Sequence, residues 1–252
     1  MANITDFSLK DMVEFSAALR SMGSGAASME EVANSIVHYL YDHLTERETG
    51  ERALALVRFF KTHPYGELDA ELQELAGKQL PARPEFPAMK CLVLLASAGL
   101  RPEWNFRKLS VGHRAIPLPS EHFIESFPMV RQLIQQMGLE VRTVLQPDPA
   151  IIMDMAQTTY NVFYLPEAAG NKYVPAQEDF VIPFGVSSVL GFGGILPSGN
   201  LFVIIMFSRV PISPRTAEMF RTLALSVKIA VLPVADKPFT RETMKNSQNE
   251  EE

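Results

Sequence analysis

Two apolar runs joined by a four-residue turn constrain this chain more than any other feature. Residues 187–196 (SSVLGFGGIL) and 201–208 (LFVIIMFS) flank Pro197-Ser198-Gly199-Asn200, a turn composition that reads as a β-hairpin. A further run, 90–97 (KCLVLLAS), is continuously apolar, the pattern of a strand buried on both faces. Residues 53–62 (ALALVRFFKT) read as a strand, although their Ala and Leu content also suits a helix. Residues 160–165 are aromatic and extended.

Helical signals surround these strands. Ser8 caps a helix to Met22 with Gly23 as its stop, and Met12, Phe15, Leu19 and Met22 share one stripe. That stripe either docks on its own domain or pairs with a second copy. Ser28 and Glu31 form a capping box ahead of Val32, Ile36, Leu40 and Leu44. A short helix covers 67–76, followed by a connector at 79–87 with three prolines. Ser120 caps a segment that Pro128 interrupts or restarts, and Val130, Leu133, Ile134 and Met137 form a stripe ending at Gly138. Asp148-Pro149 has the composition of a helix start. Ser213 caps a last helix to Leu232, with Met219, Phe220, Leu223 and Val227 on one face and Leu225, Ile229 and Leu232 on another. Hairpins beside segregated helices predict an α+β fold with an antiparallel sheet. The domain plan is an N-terminal helix (1–25), one domain (26–233) and a polar, disordered tail (234–252).

Composition narrows the function classes. A net charge of −6 and the lack of a Lys/Arg cluster with interleaved aromatics argue against a nucleic-acid surface. Cys91 is the single cysteine, so no intrachain disulfide framework forms, as in a reducing compartment. The first residues lack a signal-peptide pattern. The longest strongly apolar stretch, 201–207, is far short of the roughly 20 residues of a membrane helix. The expectation is a cytoplasmic chain without membrane insertion.

No motif proposes catalysis. Gly191-Phe192-Gly193-Gly194 has Leu196 where a dinucleotide fingerprint needs glycine, and a strand follows, so the glycines read as close backbone packing. Gly185-Val186-Ser187-Ser188-Val189 lacks the second glycine of a nucleophile elbow. Cys91 reads as a small core residue. His38 and His43, five apart on a helix, lie on different faces and do not chelate one metal. His113 and Arg114 follow Gly112 in a loop, where they could meet an anionic or haem-type ligand or simply face solvent.

The phrases SMEEVANSIVHYLYDHL…ALALVRFFKT, KCLVLLASAG and SVLGFGGILPSGNLFVIIMFSRVPIS…AEMFRTLALSVKIA, spanning about 28–232, resemble a GAF domain of bacterial signal-transduction proteins. The resemblance implies a GAF/PAS-like antiparallel sheet flanked by helices. It also implies a non-enzymatic sensor that binds a small ligand and signals through dimeric terminal helices, with a histidine kinase or another output domain as partner. The competing expectation is a ligand-free dimerisation scaffold. No particular cofactor is implied: bilin-binding relatives need a loop thiol, and relatives that reduce methionine sulfoxide need several cysteines. Glu167, Tyr173 and Gln177 fall where the pocket cap of such a domain lies, with Phe163, Tyr164, Tyr173 and Phe180 as apolar lining. Met12, Phe15, Leu19, Met22, Leu225 and Ile229 are the expected dimer surface. The stretch 101–147 exceeds a compact core and is expected as a lid or an added helix pair.

Overall fold

Eight strands carry the frame of the computed structural model, which describes residues 1–80, 88–110 and 112–240. Most of the three-proline connector and residues 241–252 of the expected tail lie outside the described residues. Strands β1 (Ala2–Asn3) and β2 (Leu44–Thr45) form a short parallel pair. The other six are β3 (Leu54–Pro64), β4 (Lys90–Gly99), β5 (Ala115–Leu118), β6 (Phe163–Leu165), β7 (Ser188–Ile195) and β8 (Leu201–Ser208). They make one antiparallel sheet in the order β5-β4-β3-β8-β7-β6. The hairpin β7–β8 keeps an unbroken register from Ser188 opposite Ser208 to Ile195 opposite Leu201. A Cβ on Gly193 would sit 2.0 Å from the Phe202 carbonyl oxygen, so the glycine cluster serves strand packing.

The helices are α1 (Leu9–Ser21), α2 (Met29–His43), α3 (Ala70–Gly77), α4 (Glu121–Ile124), α5 (Pro128–Gln136), α6 (Val141–Leu145), α7 (Ile152–Gln157) and α8 (Pro214–Val231). Ser8, Ser28, Ser120 and Ser213 each accept a backbone N–H at a helix start, as their positions predict. Both sheet faces are covered. On one, Val57, Phe59, Val93, Phe192, Phe202 and Ile204 pack with α1, α2 and α8 through Leu19, Ile36, Leu40, Phe220 and Val227. On the other, Leu56, Phe60, Leu92, Val203 and Ile205 meet Ile116, Ile124, Leu133, Ile134 and Val144. Each central strand therefore feeds two cores, which is why its sequence is apolar without alternation.

Several expectations need correction. Phe15 and Leu19 are 3% and 0% exposed, and Met12 and Met22 pack partly buried against the same core. Phe15 and Leu19 are therefore spent on the core, beside Phe7, Tyr39 and α8, while Met12 and Met22 keep part of their surface exposed. Gly23 is not a left-handed helix stop; its missing side chain lets the chain approach Ala230 of α8. Glu31 accepts from the Ala27 amide instead of closing a box on Ser28. Asp148 forms a turn with Ala150, and helix α7 starts only at Ile152. Residues 235–240 of the expected tail are ordered: the Lys237 and Pro238 carbonyls accept from the Met29 and Glu30 amides at the start of α2.

Candidate ligand-binding site

Alternation along β3 puts Leu56, Arg58, Phe60 and Thr62 on the sheet face away from α1, α2 and α8. That face is incompletely filled. It floors a cavity of about 620 Å³, together with Leu92, Leu201, Ile205 and Phe207. The volume lies in the range of small-molecule sites. The long stretch 101–147 contributes the roof, through Trp104, His113, the 126–130 turn, Leu133, Ile134 and Val144, and extends the floor through Ile116 and Leu118 of β5. The loop 172–176 and Phe180 form the side. Trp104 meets Phe180 edge-on at 5.5 Å, and Phe180 meets Phe207 edge-on at 5.1 Å, so roof, side and floor join through aromatic contacts.

Few polar groups face this space, and some are already engaged. Thr62 Oγ1 accepts from the Leu201 amide at 2.8 Å, and Ser126 Oγ donates to the Phe123 carbonyl at 2.7 Å. Arg58 donates from Nη2 to Ser110 Oγ at 2.8 Å, while its Nε is buried without a hydrogen-bond partner. Among the described residues no carboxylate lies within ion-pair distance of Arg58. The residue keeps part of its surface exposed, and burial of the guanidinium pushes its pKa down to about 10. His113 lies near enough for that charge to matter: loss of solvent, then the Arg58 charge, hold its imidazole below the ordinary value.

The cavity wall also holds strained backbone. His113 and Ala176 both have φ of +56°, the non-glycine residues with positive φ among those described. Such conformations cost on the order of 1–3 kcal/mol each and concentrate at functional sites. Gly112, at φ +77°, permits the turn that delivers His113.

Of the expected ligand contacts, the structure brings His113 and Tyr173 to the cavity. Tyr173 carries Lys172 over its ring at 5.0 Å. The other four lie elsewhere. Arg114, itself mostly buried, pairs with Glu71 at 2.6 Å and holds that carboxyl below its ordinary range. Phe163 is fully buried in β6, opposite Gly191. Glu167 is exposed. Gln177 staples its own loop, accepting from the Gly170 amide at 2.8 Å and donating to the Ala168 and Val174 carbonyls. Arg58 was missed. Its signal was a cation between Leu56 and Phe60, in the apolar half of β3, at a position that alternation turns inward. Cys91 lies on the other sheet face, and burial pushes its thiol up to about 12, so it supplies no thiolate to the cavity.

An antiparallel sheet with terminal helices on one face and a roofed cavity on the other matches the expected arrangement. The fold is α+β, with one six-stranded antiparallel sheet between two layers. No protein-family model matches the sequence, and no curated protein matches it either. Among solved structures the chain is similar to the GAF domain of a phosphoenolpyruvate-protein phosphotransferase from Acinetobacter, at 13% identity and a TM-score of 0.43, covering 89% of this chain and 95% of that one. The corresponding domain from Coxiella burnetii gives 12% identity and a TM-score of 0.43, covering 90% and 94%. An N-acylhomoserine lactone-dependent LuxR-family transcription factor from Burkholderia cenocepacia gives 12% and 0.40, covering 89% and 98%. Likeness at this level assigns neither ligand nor partner to this chain.

Proposed function

We propose that this chain is a non-enzymatic sensory module that holds a small molecule in the cavity and reports its presence through helices α1 and α8. The unfilled cavity under the 101–147 roof carries the reading. A domain whose role was only to pair would be expected to fill that space with side chains. The cationic groups at the cavity do not make an acid–base pair. Arg58 keeps its proton, and no aspartate or glutamate lines the wall among the described residues.

Transmission follows from the sheet. Ile205 faces the cavity, and its neighbour Ile204 packs in the helical layer. A ligand that favours one position of β3 and β8 biases the packing of α1 and α8, to the extent that it binds the two arrangements differently. The outer face of α8 favours a homodimer as the output: Leu225, Ile229 and Leu232 are 57%, 42% and 40% exposed. Such a dimer would act in the cytoplasm on a histidine kinase or another output domain. No described helix is long and apolar enough to cross a membrane.

Native mass spectrometry of the protein purified from its own host tests the reading, beside an Ile205→Trp variant that fills the cavity. The expected result is a small-molecule mass retained by the wild type and lost in the variant. A wild-type chain that always travels at its sequence mass contradicts it.

A further inference from the structure

The electrostatics of the cavity go further than its shape. The chain is acidic, with a net charge of −6, yet among the described residues its cavity is lined by Arg58 and Lys172 and by no carboxylate. Arg58 comes from the middle of the central strand, while Lys172 is exposed on the side loop. The N-terminal turn of α5, where Phe127 gives no side-chain cap, also lines the cavity and adds the positive end of a helix. The remaining wall is overwhelmingly apolar.

Arg58 is partly buried, its Nε enclosed without a hydrogen-bond partner and no carboxylate paired with it among the described residues, an arrangement that costs stability. Arg58 is nonetheless oriented, through the Ser110 hydroxyl. His113, at φ +56°, lines the same cavity, near enough for the Arg58 charge to act on it. Its planar, delocalised charge suits a carboxylate, which it meets with parallel hydrogen bonds.

Resting on the ligand-binding reading above, we infer that the occupant is an amphipathic monocarboxylate, with its head group against Arg58 and its apolar body along Leu92, Leu133, Ile205 and Phe207. A phosphate dianion fits less well, because a single guanidinium, Arg58, faces the interior to balance its charge. A neutral apolar molecule would leave Arg58 uncompensated. A cationic one would be repelled.

The test compares dodecanoate, 1-dodecanol and dodecylammonium by isothermal titration calorimetry on the intact protein, below their micelle thresholds. Dodecanoate is expected to bind about ten- to a hundred-fold more tightly than the alcohol, the range of one charge-assisted contact, and the amine more weakly than either. In Arg58→Met the acid-to-alcohol preference should collapse towards unity, while Arg58→Lys should keep part of it. Ile205→Trp should exclude both compounds. Equal binding of acid and alcohol by the wild type overturns the inference and leaves the cavity reading standing. If neither enters the wild type, both fall. Should Arg58→Met not fold, the preference of the unmodified protein still decides.

Discussion

Glu30 and Arg107 form a buried ion pair, Oε1 to Nε at 2.6 Å, between the first turn of α2 and the start of the cavity roof. Their side chains are 11% and 4% exposed. Glu30 Oε2 accepts from the Thr240 amide, and the Arg107 guanidinium lies over the Phe239 ring at 4.9 Å. Helical layer, roof and C-terminal segment thus meet at one point. Arg107→Ala leaves a carboxylate buried without its cation and should cost about 3–5 kcal/mol. Urea denaturation measures it, and a loss near zero would mean that the pair does not tie the layers.

The C-terminal segment makes a separate prediction. The Lys237 and Pro238 carbonyls take the first two amide donors of α2. A chain ending after Val234 should lose those caps and the Phe239 packing, a loss of about 2–4 kcal/mol from a cap and a buried aromatic. Removing only residues 241–252 should be closer to neutral. Thermal melting of the two truncations distinguishes them.

His63 gives a pH dependence with a defined sign. It is buried beside Lys61, whose Nζ lies 3.2 Å from its Nδ1, and its Nε2 lies 3.5 Å from Glu67; Lys90 also bears on it. Burial first, then Lys61, pushes its pKa down from 6.5 to about 4. As pH falls through that window the unfolded chain takes up a proton that the folded chain refuses. This contribution to stability is therefore complete above 6.5 and falls by about 3 kcal/mol towards pH 4. His63→Gln should flatten the loss across the window. An unchanged slope in urea titrations would assign the acid sensitivity elsewhere.

The α1–α8 contact depends on Gly23. A Cβ there would lie 2.1 Å from the Ala230 carbonyl oxygen. Gly23→Ala must push the two chain segments apart and should cost about 1–3 kcal/mol. The loss should appear first as faster amide exchange in α1, the helix proposed to carry the signal. Uniform destabilisation without selective opening of α1 would contradict that role.

The proposed dimer surface rests on apolar residues that remain accessible on α8. Leu225→Glu with Ile229→Glu should convert a dimer to monomers in light scattering, with the fold intact because both side chains point outward. An unchanged mass refutes this interface. Leu9 and Val13, at 64% and 57% exposure, are the accessible apolar positions on α1, in place of the buried Phe15 and Leu19.

Strands β4, β7 and β8 were legible because strands that serve two cores leave a continuous apolar run, and α1, α2 and α8 because a serine opens each of them, whereas β3 equally suited a helix and β5, four residues with Pro117 inside, left no strand signal. The site was less so. Periodicity gives the direction of Arg58 but not whether the space opposite is filled. Gln177 resembled a ligand contact because a polar loop residue can equally bond its own loop, and sequence does not distinguish the two. Met12, Phe15, Leu19 and Met22 form one stripe whether α1 docks at home or on a partner. His113, singled out in a glycine-led loop, and Tyr173, singled out by the resemblance, do line the cavity.

Sensing requires that occupancy on one sheet face alter the helices on the other. Hydrogen–deuterium exchange of the protein with and without saturating dodecanoate measures this directly. Protection at β3 and α5, accompanied by changed exchange in α1 and α8, is the result expected of a sensory module. Protection confined to the cavity wall, with α1 and α8 unaltered, would contradict it.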